Sequence, residues 1–169
     1  MQLSLGKRGD YAVRATLCLA RRPRGTRFKA REIATEMDIP AKYLPQVLSM
    51  LVRAGLVGSL AGPDGGYFLL RPPAEVTLRE VIEAADGPIR SDTCVLRSSP
   101  CKWQGAMCVL HDHWVAAQEA LIDRLESTTF EDLRRTDESI AGEHRPSIRS
   151  VDKVVGGDVA GGEAVGGIS

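Results

Sequence analysis

Three cysteines, Cys94, Cys101 and Cys108, recur at intervals of seven in "CVLRSSPCKWQGAMCVLHDHW", and His111 follows the last by three. A seven-residue repeat would place the thiols along one helical face, but Pro100 and Gly105 interrupt the segment, so it reads as a loop. A dithiol redox centre would need Cys-x-x-Cys, which is absent. Disulfides are disfavoured by the odd number of thiols in the loop and by the reducing compartment expected for this chain. Metal chemistry remains. Three Cys with one His make an acceptable closed tetrahedral zinc site, although zinc knuckles commonly space their thiols two to four residues apart. Gaps of six suit a loop wrapped around a larger iron–sulfur cluster, whose ligands are mostly thiolate. The residues alone leave both open. The fourth cysteine, Cys18, falls in a run of small residues and reads as buried packing. His113, beside Trp114, fits a helix surface.

What positions this loop follows from the rest of the chain. Its 169 residues support one ordinary domain with an added helix and a tail, and 43% apolar residues are enough for a packed core. The N-terminus has neither an unbroken apolar stretch nor a small-residue cleavage signal, and no run approaches the ~18 apolar residues of a membrane span. The expectation is a cytoplasmic protein with no membrane partner. A net charge of zero conceals a division: residues 1–60 carry 11 Lys/Arg against 4 Asp/Glu, and residues 61–169 carry 11 against 18. A basic first third beside an acidic remainder fits a polyanion-binding face on a separate body.

Residues 9–22 read as a helix, broken by Pro23 and Gly25. A second spans 28–37 with Ile33, Ala34 and Met37 inward. A third spans 41–54, with Leu44, Val47, Leu48 and Leu51 at i, i+3, i+4 and i+7. Pro45 sits early enough for its missing N–H to be tolerated, and Gly55 stops the helix. Two β-prone runs, 56–60 and 67–70, flank the turn "AGPDGG". A hairpin directly after a helix-turn-helix is the layout of a winged helix. Thr77 and Glu80 form a capping box for a short helix that Gly87 ends. From about Met107 to Thr128, Leu110, Trp114, Ala117, Leu121 and Leu125 stripe a helix ~33 Å long, whose narrow apolar face points to a dimer seam.

The expected class is therefore mainly α with a small β-hairpin: a winged helix-turn-helix plus a long C-terminal dimerisation helix. Its divisions are the winged helix-turn-helix over 1–87, the cysteine-rich loop over 88–106, the dimerisation helix and its end over 107–135, and a disordered Gly-rich tail over 136–169. The partner is a double-stranded DNA operator, since the second helix of such a motif enters the major groove. Lys42, Tyr43 and Gln46 are best placed for base edges or phosphates, while Lys29, Arg31 and Arg53 suit phosphates. Gly65 and Gly66, at the end of the wing turn, complete the candidate DNA contacts. The wing tip carries Asp64 and no cation, which argues against a minor-groove role. No nucleophile–base constellation, P-loop or dinucleotide fingerprint supports an enzyme.

Several strings resemble the Rrf-two family of winged-helix iron–sulfur transcription regulators: "DYAVRATLCLA" (10–20), "REIATEMDIPAKYLPQVLSMLVRAGLV" (31–57), "GPDGGYFL" (62–69), "VIEAADGP" (81–88), the three-cysteine loop, and "STTFEDL" (127–133). The resemblance covers residues 1–135. It implies a homodimeric regulator, a repressor, that senses nitric oxide, redox state or iron supply through an iron–sulfur cluster held by Cys94, Cys101 and Cys108. It implies a fourth ligand that differs between members: an Asp from the first helix of the other subunit, matched by Asp10 acting in trans, or a His after the third cysteine, matched by His111. The first would favour a 4Fe-4S cluster and the second a 2Fe-2S cluster. The Arg common before the wing's first Gly is Ala61 here. The alternative is a zinc-stabilised or cluster-free winged-helix DNA-binding protein without sensing.

Overall fold

The computed structural model describes residues 5–89 and 108–143. Within them the order is α1 (Lys7–Ala20), α2 (Ala30–Glu36), α3 (Leu44–Arg53), β1 (Val57–Leu60), β2 (Gly66–Leu69), a 3-10 turn over Pro73–Glu75, α4 (Leu78–Asp86), α5 (His111–Ser127) and α6 (Phe130–Glu143). The mainly helical class with one hairpin, expected from periodicity, is the observed one. Cys94, Cys101 and residues 144–169 of the expected tail lie outside the described residues.

The centre of the fold is α1. Ala12, Ala15 and Cys18 are completely buried on it, so α2, α3, α4, α6 and β2 all pack against a helix with little side-chain bulk. Leu44, Val47, Leu48 and Leu51 form the buried stripe of α3, as their spacing requires. That helix begins at Leu44, later than the expected 41. Residues 40–43 form a turn in which the Tyr43 N–H donates to the Pro40 carbonyl at 2.9 Å. Pro45 falls in the first turn of α3, where a missing N–H costs nothing. Lys42 and Tyr43 therefore precede α3 instead of forming its first turn.

The wing is an antiparallel pair with Val57 opposite Leu69 and Leu60 opposite Gly66. A third segment joins it: Phe28 and Tyr67 exchange backbone hydrogen bonds at 2.9 and 2.8 Å. The two glycines of the tip have steric reasons to be there. A Cβ on Gly65 would collide with the Leu60 carbonyl, and one on Gly66 would lie 2.7 Å from the Phe28 carbonyl oxygen. Backbone, not a flexible side chain, is in the way. After the wing, Thr77 and Glu80 satisfy each other's backbone N–H groups at the start of α4, as a capping box should. Burial works against the Glu80 charge, but the Thr77 N–H and Arg71 outweigh it and hold the carboxyl below its ordinary range.

The C-terminal part departs most from the sequence reading. The α5 helix ends at Ser127, and the chain turns back into α6, which runs to Glu143 through positions that composition assigns to the tail from 136 onward. Thr129 and Asp132 cap α6 in the manner of Thr77 and Glu80. Phe130 is fully buried in the same core cluster as α1, α3 and α4, and its N–H donates to the Val76 carbonyl at 2.9 Å. Arg21 of α1 pairs with Asp137 of α6 at 2.7 Å and with Glu36 of α2 at 3.3 Å.

Phe130→Ala should lower stability by about 3–5 kcal/mol, read as a drop in the urea midpoint of the full chain. Gly66→Ala should cost on the order of 1–3 kcal/mol, because inserted bulk meets main chain. A midpoint unchanged in both variants would contradict the packing described.

Candidate functional site

The candidate DNA face starts at the turn before α3. The Lys42 ammonium lies over the Tyr43 ring, 4.9 Å from its centroid. Tyr43, 42% exposed, stacks on Tyr11 of α1 with centroids 6.0 Å apart, and the Arg14 guanidinium covers Tyr11 from 5.5 Å. The two rings are thus stacked, with a cation over each. Gln46, Ser49 and Arg53 are exposed, opposite the buried stripe of α3. Arg53 sits in the last turn, where its Nε donates to the Ser49 carbonyl at 3.4 Å. Arg31 is exposed on α2. Lys29 is exposed as well, but its ammonium is engaged: it donates to the wing carbonyls of Gly62, at 3.3 Å, and Pro63.

Arg14 and Arg27 are functional-region residues that sequence reasoning did not single out. The Arg14 guanidinium binds the Asp10 carboxylate, Nε to Oδ1 at 2.9 Å and Nη2 to Oδ2. Its Nη1 donates to the carbonyls of Met37, at 3.2 Å, and Asp38, at 3.4 Å. Asp10 is thereby joined through one side chain to the turn of the helix-turn-helix, where Asp38 adopts a left-handed φ of 51°. Arg27 donates from Nη1 to the Asp64 carbonyl at the wing tip, at 3.3 Å. An i,i+4 Asp–Arg pair could have flagged Arg14; no spacing rule connects Arg27 to residue 64, because the link is tertiary.

On the cysteine side, Cys108 is half-buried immediately before α5, and His111 is the first residue of that helix. The His111 N–H donates to the Cys108 carbonyl at 2.9 Å, so the two stand within one turn of chain. The structure therefore brings together Cys108 and His111, while Asp10 belongs to α1. Among the described residues no group of three or more His, Cys, Asp and Glu is gathered for a metal ion. Cys18 is set apart by its environment: fully buried, with a thiol pushed up to about 12 chiefly by burial, it stays protonated and unreactive.

No side chain of α5 is buried within one protomer among the described residues. Leu110 and Leu121 are each 44% exposed on it or at its start, along the stripe that sequence periodicity picks out. No described helix is long and apolar enough to cross a membrane.

Comparison with known proteins agrees with this layout. The Rrf2 family, described as iron-dependent transcriptional regulators, matches residues 5–136. An HTH-type transcriptional regulator of Neisseria meningitidis serogroup A is 34% identical over 131 residues, covering 78% of this chain and 87% of its own. The HTH-type transcriptional regulator IscR of Pectobacterium atrosepticum is 32% identical, covering 78% and 79%. Among solved structures, CymR, the global cysteine regulator of B. subtilis, superposes with a TM-score of 0.69 at 29% identity, over 80% of this chain and 98% of its own. These relatives are regulators of transcription and not enzymes, and the family match takes in all the described elements from α1 to the middle of α6. The chain belongs to the Rrf2 family of transcriptional regulators.

Proposed function

We propose that this regulator is a cytoplasmic homodimeric repressor in which Cys94, Cys101 and Cys108 hold an iron–sulfur cluster, and that loss or alteration of the cluster releases operator DNA. The reading keeps residues 1–87 as the DNA-binding part, 88–106 as the cluster loop and 107–135 as the dimer-forming part. The signal is nitric oxide, redox state or iron supply. One observation carries it: Asp10, a candidate fourth ligand, is tied through Arg14 to the turn of the helix-turn-helix. Three thiolates with one oxygen or nitrogen donor are a donor set suited to a cluster. When bound, such a group supplies a weakly ligated iron open to small reactive molecules.

The coupling then rests on this chain's own groups. In the described arrangement both Asp10 oxygens serve Arg14, which holds two carbonyls at the end of α2. An Asp10 carboxylate given over to the partner subunit's thiol loop has less to offer Arg14, and the turn that sets α2 against α3 is relaxed or retightened accordingly. His111 offers the other arrangement, entirely within one protomer, since it stands one turn from Cys108. Dimerisation is supported by the uncovered stripe of α5, because apolar side chains on a 17-residue helix gain little unless a second surface covers them.

A second reading draws on the fold shared with CymR, a global cysteine regulator. There the thiols would bind zinc or nothing, and the protein would bind DNA without sensing.

Protein purified without oxygen should be coloured, with native mass spectrometry giving a dimer carrying iron and sulfide, and should release selected DNA on exposure to nitric oxide or an oxidant. Colourless protein holding stoichiometric zinc, with DNA affinity unchanged in Cys101→Ala, sinks the cluster and favours the second reading. Comparing the spectra of Asp10→Ala and His111→Ala identifies the fourth ligand. Arg14→Ala should retain the colour yet bind DNA roughly tenfold more weakly, about 1.4 kcal/mol. Leu121→Glu should sediment as a monomer if the α5 stripe is the dimer seam.

A further inference from the structure

The wing tip, read as a string, is a poor minor-groove probe: residues 61–66 carry one carboxylate, Asp64, and no cation. Folding changes what stands there. Arg27 reaches from the α1–α2 linker and donates from Nη1 to the Asp64 carbonyl at 3.3 Å. Lys29 donates to the carbonyls of Gly62, at 3.3 Å, and Pro63. Two cations from outside the hairpin therefore occupy its apex and neutralise its carbonyl dipoles.

We infer that Arg27 is the minor-groove contact of this protein, a cation lent to the wing by the α1–α2 linker, and that it confers preference for A·T-rich, narrow minor groove beside the site read by α3. The inference rests on the DNA-binding reading and goes beyond it by naming a groove, a residue and a base preference. A narrow A·T groove concentrates negative potential and takes up arginine, whereas the guanine N2 amino group obstructs G·C pairs.

Three features fit Arg27 for this use. It is exposed, and one hydrogen bond to Asp64 occupies only one of the five N–H donors of a guanidinium. Its backbone is anchored next door: Phe28 pairs with Tyr67, and Gly66 approaches the Phe28 carbonyl so closely that no Cβ fits between them. The linker cannot slide along the wing, so the arginine is held before DNA arrives and little ordering cost is left to binding. Lys29, holding two tip carbonyls, fixes the apex itself. Arg24, in the same linker, is exposed and provides a comparison of equal charge.

The test uses full-length protein and DNA selected by it from a random pool, measured by fluorescence anisotropy across a salt series. Arg27→Ala should weaken binding roughly tenfold, lower the salt slope by about one, and abolish discrimination between A·T and G·C pairs flanking the site. Inosine·cytosine pairs, which lack the minor-groove amino group, should be accepted by wild type like A·T. Arg24→Ala should weaken binding less and leave the A·T preference intact. Ala61→Arg, which puts a guanidinium on the wing itself, should restore the preference to the Arg27→Ala protein. An Arg27→Ala protein with wild-type preference, equal losses in Arg24→Ala, or an Ala61→Arg double variant without rescue would each overturn the inference. Failure of the wild type to select any sequence is a different result, because it removes the DNA-binding reading on which this one stands.

Discussion

Small side chains along α1 determine how near every other element can come. With Ala12, Ala15 and Cys18 fully buried, α1 contributes little volume of its own to the core and lets α2, α3, α4, α6 and β2 pack around it. Larger residues on that face would push several neighbours outward at once, since interiors at this density transmit strain instead of absorbing it. The same helix carries Asp10, Tyr11 and Arg14 at its edge. Anything that moves α1 must therefore be felt by α3, the wing and the C-terminal return together.

Periodicity was the reliable guide wherever burial is local. The i, i+3, i+4, i+7 pattern of Leu44, Val47, Leu48 and Leu51 named the inner face of α3, and Thr77 with Glu80 named a cap that is present atom for atom. The hairpin followed from its turn residues. What the string could not supply was tertiary. Phe130 looks like one apolar residue in a polar stretch, but it is buried in the core cluster because the chain reverses after Ser127. The string suggests an early start for α3 because Lys42 and Tyr43 carry no strong feature against a helix, whereas Pro45 and the missing cap move the boundary to Leu44.

The candidate site divides in the same way. Its ligand types were readable, since thiols at wide regular gaps with a neighbouring His are uncommon, and Cys18 was separated from them by its small-residue setting. The relation of Asp10 to the turn between α2 and α3 is not readable, because it passes through Arg14 to main-chain carbonyls of Met37 and Asp38, which no residue type encodes. The charge of the wing is hidden in the string for a related reason. A count over residues 61–66 cannot include Arg27 and Lys29, which come from another loop. In both cases the missing partner of the arginine is a backbone oxygen.

The return of α6 also bears on modularity. By composition the chain looks like a reader joined to a separate accessory half, a design that evolution could cut and recombine. Phe130, fully buried in the core cluster that also holds residues of α1, α3 and α4, and the Arg21–Asp137 pair join the two halves. Releasing the last helix would uncover the face of α1 that it covers and break the Arg21–Asp137 pair, so an insertion or deletion after Ser127 is felt inside the core as well as at its edge.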